Sequence, residues 1–188
     1  MSNIWLTSDL HIGHNNIIKY CNRPFKDIAE MTEMLISNHN AVVAADDLVI
    51  DLGDFSLDER RVAPTLKRMN GKRILVVGNH DQCHPVHRGA EAAKKRYLEA
   101  GFQEVVVSMD MEIGGEKVHI HHMPYNADEI HGNKWEKWRP VDDGRWLCHG
   151  HTHGLWKEKG RMIDVGVDAR NYAPIHIEDI AKIIKGAQ

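Results

Sequence analysis

The fold is decided by the stretch Ile4-Trp5-Leu6-Thr7-Ser8-Asp9-Leu10-His11. Its first five residues form a short apolar run typical of a buried strand, and an aspartate and a histidine follow almost at once. The arrangement recurs: Leu48-Val49-Ile50 with Leu52 precedes Gly53-Asp54, and the run 74–77 precedes Gly78-Asn79-His80-Asp81. Because ligands of α/β sheets bind beyond the carboxyl ends of the strands, we expect these polar side chains to share one rim.

Helical patterns separate the first strands. Asp27-Ile28-Ala29-Glu30 has the spacing of a capped helix start, and further helices are predicted over about 58–70, before Gly71, and about 90–100, before Gly101. Later segments predict antiparallel strands at 105–107, 109–113 and 117–122 with a hairpin at Gly114-Gly115, strands at 146–148, 162–165 and 175–177, and a final helix from Glu178. Strands alternating with helices indicate an α/β fold.

The chain has 188 residues, which predicts a single domain over 1–188, with 123–145 as a long, lid-like loop. The net charge is −3, so we expect no long nucleic acid as a partner. The three cysteines lack CxxC spacing, which excludes a disulfide framework and favours a reducing compartment. We find neither a secretory signal nor a membrane-spanning stretch, and therefore expect a cytoplasmic location.

The 14 histidines are an unusually large number, and several lie at the ends of predicted strands. His122 ends the hairpin strand, and Gly150-His151-Thr152-His153 follows the next apolar run. With the three earlier strands, five strand ends would deliver Asp, His and Asn side chains to one rim. The polar residues at these strand ends are Asp9, His11, Asp54, Asn79, His80, Asp81, His122, His151 and His153.

The types of these residues suit a centre of two metal ions that activates water. Such a centre needs a carboxylate able to bridge the ions, and Asp54 is the candidate. Asn79 would add an uncharged oxygen, which keeps the centre positive enough to lower the pKa of bound water. Nitrogen and oxygen ligands without thiolate favour Mn, Zn, Fe or Ni over an all-oxygen Mg or Ca site, and we favour Mn.

Five sequence blocks, taken together, resemble a known family. They are Asp9-Leu10-His11, Gly53-Asp54, Gly78-Asn79-His80-Asp81, His122-Met123-Pro124 and Gly150-His151-Thr152-His153. In this order they resemble the signature blocks of the calcineurin-like metallophosphoesterases, over residues 4 to about 170. The segments 8–18, 21–25 and 164–168 are similar to a small single-domain branch of that family found in bacteria and their phages.

The resemblance implies a fold and a set of roles. The implied fold is a four-layer αββα sandwich of two mixed sheets. One metal ion would be bound by Asp9, His11 and His153 and the other by Asn79, His122 and His151, with Asp54 bridging. His80 would protonate the leaving-group oxygen and Asp81 would orient His80, while a hydroxide held between the metals attacks phosphorus.

The function expected from this resemblance is hydrolysis of small phosphodiesters, with cyclic nucleotides among the candidate substrates. A phosphomonoesterase and a dinucleoside-polyphosphate hydrolase are alternatives within the enzymes. A catalytically inactive metal-binding scaffold is the alternative from another class, and the intact ligand set with His80 argues against it. The segment Phe55-Ser56-Leu57 after Gly53-Asp54 departs from the GDxVDRG block of the protein phosphatases in this superfamily.

Strand alternation bears on the choice of ligand between His121 and His122. Val118, Ile120 and His122 share one face of the predicted strand, and His119 and His121 share the other. The face with two apolar residues is expected to pack inward, which favours His122.

The segment 123–145 leaves two interpretations open. Trp135 and Trp138 would share a face of a helical turn and clamp a nucleobase, or they would form an apolar plug beneath the loop. We assign no role to Arg23, which is compatible with a phosphate contact or a turn. Six further histidines are expected to be surface or satisfied polar residues: His39, His84, His87, His119, His131 and His176.

Overall fold

A computed structural model describes residues 2–126 and 132–187. The described residues contain α1 (Asn15–Tyr20), α2 (Ile28–Val42), α3 (Val62–Leu66), α4 (Ala90–Ala100) and α5 (Ile177–Gly186). They also contain β1 (Ile4–Thr7), β2 (Leu48–Asp51), β3 (Lys72–Val76), β4 (Glu104–Val106), β5 (Ser108–Ile113), β6 (Glu116–His121), β7 (Trp146–His149), β8 (Glu158–Lys159), β9 (Met162–Asp164) and β10 (Ile175–His176). None of the described helices combines the length and apolar character needed to cross a bilayer.

The first sheet has the strand order β10-β1-β2-β3-β4. Its strands β1 to β4 are parallel because helices connect them in sequence, and β10 is antiparallel to β1. The predicted antiparallel arrangement of 105–107 is therefore wrong. Helix α4 carries the chain back to the end of the sheet at which β3 begins, so β4 runs in the same direction as β3.

The second sheet has the strand order β5-β6-β7-β9-β8. Strands β5 and β6 form the predicted hairpin, and Gly114 and Gly115 at its turn have φ of +65° and +90°, which glycine adopts readily. Strands β6, β7 and β9 are parallel to one another, whereas β8 is antiparallel to β9. The carboxyl ends of β6 and β7 consequently lie at one edge.

The main core lies between the two sheets. Leu6 and Ile50 of the first sheet pack with Ile120 and Ile163 of the second in one buried cluster, which also receives Ile180 of α5. A second cluster packs helices α1 to α4 against the opposite face of the first sheet. These observations confirm the predicted α/β fold of two mixed sheets packed face to face.

On the remaining face of the second sheet, Leu147 and Met162 pack against Tyr125 and Trp156, which lie outside the helices and strands. The loop predicted over 123–145 includes residues 127–131, which lie outside the described residues. His131 is one of them. The described remainder contains a short 3-10 turn, Glu136–Trp138.

Two local predictions need correction. The helix predicted over about 58–70 is a 3-10 turn, Glu59–Arg61, followed by the short α3, because Pro64 cannot accommodate a continuous helix through the residues before it. Helix α1, which the sequence analysis did not identify, is only six residues long and follows the first sequence block almost directly. Such a length is too short to show helical periodicity.

Candidate metal centre

The seven predicted ligands lie at one end of the core between the sheets. Asp9, Asp54 and Asn79 follow strands β1, β2 and β3, whereas the histidines of the set other than His11 follow strands β6 and β7. Six of the seven residues are buried, and the side chain of His153 is 13 % exposed. The ends of both sheets therefore contribute to one buried polar cluster.

Main-chain contacts hold the two sheets together at this place. The N–H of His151 donates a hydrogen bond to Oδ2 of Asp9 at 2.9 Å. Ser8 forms a parallel bridge with Gly166, and the N–H of Val167 donates to the Ser8 carbonyl at 3.0 Å. The loop after β1 is therefore fixed to two segments that lie more than 140 residues later in the sequence.

Asp54 occupies the centre of the cluster. Its Oδ2 lies 3.6 Å from Nε2 of His11 and 3.5 Å from Nε2 of His122. Burial alone would raise its pKa, but the imidazoles of His122, His11 and His80 hold the pKa of this carboxyl below its usual range. Asp54 is therefore ionised and faces a histidine from each predicted ligand group.

The first group, called the Asp9 group, consists of Asp9, His11 and His153. One potential ligand atom from each of them lies within 4.8 Å of the others. Among the described residues, Oδ1 of Asp9 and both ring nitrogens of His11 are buried without a hydrogen-bond partner. Buried polar atoms are normally satisfied, so orphaned atoms at this density fit a site for a cation.

The second group, called the His122 group, consists of Asn79, His122 and His151. Nε2 of His122 lies 3.2 Å from Oδ1 of Asn79, and the ring centroids of His122 and His151 are 5.2 Å apart. Nδ1 of His122 lies 2.6 Å from the carbonyl oxygen of Leu52. A proton on Nδ1 satisfies that carbonyl and leaves the lone pair of Nε2 available to a metal.

Strained backbone is concentrated at the predicted ligands. Eight residues other than glycine have positive φ in the described chain, and five of them are Asp9, His11, Asp54, His151 and His153, with φ between 47° and 68°. This left-handed conformation is costly for residues with a side chain and persists where the surrounding structure enforces it. Their concentration here indicates that the loops are shaped by the placement of these side chains.

Glycines of the sequence blocks permit the close approach of the ligand loops. A Cβ atom at Gly78 would collide with Oδ1 and the main-chain nitrogen of Asp54. A Cβ atom at Gly150 would collide with Oγ of Ser8 and Oδ2 of Asp9. Each glycine thus lies where a loop that carries one ligand packs against the backbone or carboxylate of another.

The comparison with protein-family models agrees with this geometry. The model of the calcineurin-like phosphoesterases matches residues 2–165, which is most of the chain. The chain belongs to this family. Calcineurin-like phosphoesterases are hydrolases that generally use divalent metals, and the ligand clusters described above are of a kind that could hold them.

Several relatives extend over nearly the same length. An uncharacterized protein of Methanocaldococcus jannaschii is 32 % identical and the alignment covers 98 % of this chain and 93 % of the relative. The Gene 66 protein of Mycobacterium phage L5 is 34 % identical over 90 % of this chain and 88 % of the relative. These archaeal and phage relatives fit a small, single-domain branch of the calcineurin-like phosphoesterases.

One solved structure supports the fold. The protein of unknown function from Aquifex aeolicus superposes with a TM-score of 0.71 and 24 % sequence identity, covering 97 % of this chain and all of the other. The likeness shows that the two chains share the fold.

Within this calcineurin-like phosphoesterase, the predicted catalytic residue His80 lies at the exposed side of the cluster. Its side chain is 44 % exposed, and its Nε2 is 3.9 Å from Oδ2 of Asp54. Its N–H donates to the other carboxylate oxygen of Asp54 at 2.9 Å. The imidazole therefore borders both the cluster of candidate ligands and solvent.

Asp81 does not orient His80 as predicted. Its buried carboxylate accepts hydrogen bonds from the main-chain N–H groups of Gly78, Asp54 and Phe55, at 2.8, 2.9 and 3.1 Å. No hydrogen bond joins it to the imidazole of His80, although both residues are described. Asp81 instead ties the loop after β3 to the loop that carries Asp54.

Arg23 and Asp168 form a support behind the Asp9 group. Asp168 accepts two hydrogen bonds from Arg23, each of 2.8 Å, and its Oδ2 lies 3.0 Å from Nδ1 of His153. The guanidinium also donates to the carbonyls of Asp9 and Leu10 at 2.7 and 3.1 Å. Burial alone would lower the pKa of His153, but the hydrogen bond to Asp168, together with the thiol of Cys21 and the carboxylate of Asp9, raises it to about 11.

The sequence analysis gave Arg23 no role and did not single out Asp168 by itself. Both residues lie in segments quoted for their resemblance to the small branch, which was the available signal. Cys21 is a further member of this neighbourhood, because its thiol, Asp168 and His153 offer ligand atoms within 4.8 Å of one another.

His121 and His122 separate as strand alternation predicts. Nδ1 of His121 accepts a hydrogen bond from the N–H of Met123 at 2.9 Å, and its ring stacks near that of His119. Burial lowers the pKa of His121 to about 3. His122, in contrast, is the histidine that reaches Asp54.

Trp135 and Trp138 do not share one binding face. Trp135 lines a cavity beside the Asp9 group, whereas the ring of Trp138 lies edge-on to His84 with centroids 4.9 Å apart. The predicted pairing assumed a helical turn through both residues, but Trp135 lies before the 3-10 turn and its backbone is not helical, with φ of −110° and ψ of 15°. The two-tryptophan clamp is therefore not present.

Proposed function

We propose that this calcineurin-like phosphoesterase hydrolyses small phosphodiesters with two divalent transition-metal ions. Mn is favoured, Zn, Fe and Ni are compatible with the same ligands, and cyclic nucleotides are among the candidate substrates. The observation that carries the proposal is the position of Asp54, whose Oδ2 lies 3.6 Å from His11 and 3.5 Å from His122. A carboxylate between two sets of imidazoles is suited to serve both sets at once.

The donors fit two metal sites that share Asp54. The Asp9 group would hold one ion and the His122 group the other, and the orphaned atoms of Asp9 and His11 would gain partners on binding. When bound, the ions would supply positive charge that lowers the pKa of water and stabilises charge on the phosphoryl group. The protein supplies buried ligands on fixed loops.

His80 is proposed as the general acid. Its main-chain N–H is hydrogen-bonded to Asp54, so the residue is fixed next to the centre while its imidazole keeps contact with solvent. From this position a proton on its ring would pass to the departing oxygen of the ester, and solvent would replace that proton afterwards. The intact ligand set and His80 favour an enzyme over an inactive scaffold.

The proposed substrate is small because the cavity beside the centre measures about 310 Å³, near the lower end for ligand pockets. The net charge of −3 gives no support to a long nucleic acid as partner. Three free cysteines favour a reducing compartment, and we propose the cytoplasm as the place of action.

The test compares metal-free and Mn-loaded protein on bis(p-nitrophenyl) phosphate and on p-nitrophenyl phosphate. We expect no turnover without metal, turnover with Mn, and a higher kcat/KM for the diester. Full activity after rigorous removal of metal would contradict the proposal, and a clear preference for the monoester would replace it with a phosphomonoesterase.

The role of His80 has a separate test. His80→Ala should keep both ions by elemental analysis while kcat falls by about 10²- to 10⁴-fold. The fall should be smaller for p-nitrophenyl esters than for esters with a poor leaving group, because p-nitrophenolate needs little protonation. Equal losses for both leaving groups would argue against an acid.

A further inference from the structure

A cavity of about 310 Å³ adjoins the Asp9 group. His11 and His153 of that group and the proposed acid His80 line one side of it. Its other walls come from helix α1 and from the segment after the undescribed residues 127–131. Any group attached to a phosphate at the centre on the side of His80 would therefore enter this cavity.

Two large aromatic residues line this cavity. Tyr20, at the end of α1, and Trp135 both line it, together with the buried apolar side chain of Ile17. Tyr20 is 74 % exposed, whereas every other phenylalanine, tyrosine and tryptophan of the chain is described as buried or half-buried. Tyr20, the exposed member of the phenylalanines, tyrosines and tryptophans, therefore borders the cavity next to the candidate metal centre.

The positively charged side chain of a lysine lies at the same cavity. Lys134 lines the cavity, and its Nζ is 5.0 Å from the centroid of the Trp135 ring. A positive charge near an aromatic wall suits a ligand that carries both a planar group and a phosphate anion. Ile17, Tyr20 and Trp135 would supply the apolar contacts, and Lys134 the attraction for the anion.

We propose that this cavity binds a planar aromatic group of the substrate, and that Tyr20 and Trp135 determine the preference for it. The inference rests on the proposed function and specifies its substrate class: phosphoesters whose leaving group carries an aryl ring or a nucleobase. Because the proposed acid His80 lines the cavity, this group would lie on the leaving-group side. The pair differs from the predicted clamp, because Trp138 lies against His84 instead.

The experiment measures binding rather than turnover. Phenylphosphonate and methylphosphonate carry the same anionic head, differ in the planar group, and are not cleaved. Their dissociation constants are measured by titration calorimetry on the Mn-loaded protein. Stacking of an aromatic ring on a protein ring strengthens binding by roughly 5- to 150-fold, and we expect phenylphosphonate to be favoured within that range.

Variants assign the preference to the two residues. Tyr20→Ala and Trp135→Ala should each reduce the ratio of the two dissociation constants at least severalfold, while Tyr20→Phe and Trp135→Phe should retain most of it. Trp138→Ala is the matched control in the same segment and should leave the ratio unchanged. Melting curves and Mn content establish that each variant is folded and loaded.

The outcomes separate this inference from the function on which it rests. Equal binding of the two phosphonates, or a preference that survives both alanine variants, would overturn the aromatic subsite and leave the metal-dependent hydrolase intact. Failure of both compounds to bind the Mn-loaded protein would overturn the proposed phosphate-binding centre and the subsite with it.

Discussion

His153 and His122 lie in different ligand groups, and different parts of the chain hold their rings. Nδ1 of His153 contacts the carboxylate of Asp168, which is paired in turn with the buried Arg23. Nδ1 of His122 contacts a main-chain carbonyl, that of Leu52. The support of the Asp9 group can therefore be removed by a side-chain substitution, whereas the contact that supports His122 belongs to the backbone.

The largest effect is expected where the two groups meet. Asp54→Ala should remove the shared carboxylate and lower metal content at both sites, so that kcat/KM falls by more than the roughly 100-fold that loss of an outer partner can cause. His153→Ala is the comparison and should lose one ion. Elemental analysis of both variants checks this, and two retained ions in Asp54→Ala would exclude the bridging role.

A smaller and one-sided effect is expected from Asp168→Asn. Removing the negative charge behind His153 should weaken binding of one ion by about 10- to 100-fold and leave the other unchanged. Stepwise metal titration resolves the two affinities.

Asp110→Asn is the matched control for that substitution. Asp110 makes the same kind of contact, 2.7 Å from Nδ1 of His119, but lies in strand β5 away from the centre. Equal weakening of both sites by Asp168→Asn, or the same loss in Asp110→Asn, would refute a selective support of the Asp9 group.

The smallest effect is expected from His121→Gln. Glutamine can still accept the hydrogen bond from Met123, so both ions should remain and the free energy of unfolding should change by less than about 1 kcal/mol. His122→Gln should instead lose one ion. Metal content and denaturant titration measure the contrast, and loss of an ion from the His121 variant would mean that strand alternation selects the wrong histidine.

The sequence predicts the ligand positions well because their signal is local. Each candidate follows a short apolar strand. The carboxyl ends of parallel strands lie at the same edge of a sheet, so these positions can be predicted without knowledge of contacts between distant residues. Strand alternation likewise separates His122 from His121 within one element. The structure brings all seven candidates to one rim, while their binding of metal stays a prediction.

Other features depend on partners that are distant in sequence. Arg23 and Asp168 are 145 residues apart, so the sequence around one residue does not indicate that it pairs with the other. The hydrogen bonds of Asp81 depend on the close approach of two loops, which a local pattern does not show. The directions of Trp135 and Trp138 depend on where the helical turn begins, because Trp135 lies before it with non-helical backbone angles, and a spacing of three residues does not show that boundary.

The long sequence separation within the centre also has a consequence for the order of events during synthesis. Asp9 meets the N–H of His151 142 residues later, and Arg23 meets Asp168 145 residues later. At roughly 5–20 residues per second, Asp9 and His11 wait about 7–30 s on the ribosome before His151 and His153 exist. The growing chain therefore carries an incomplete set of candidate ligands for most of its synthesis, and in the proposed two-metal centre capture of the ions would be a late step of maturation.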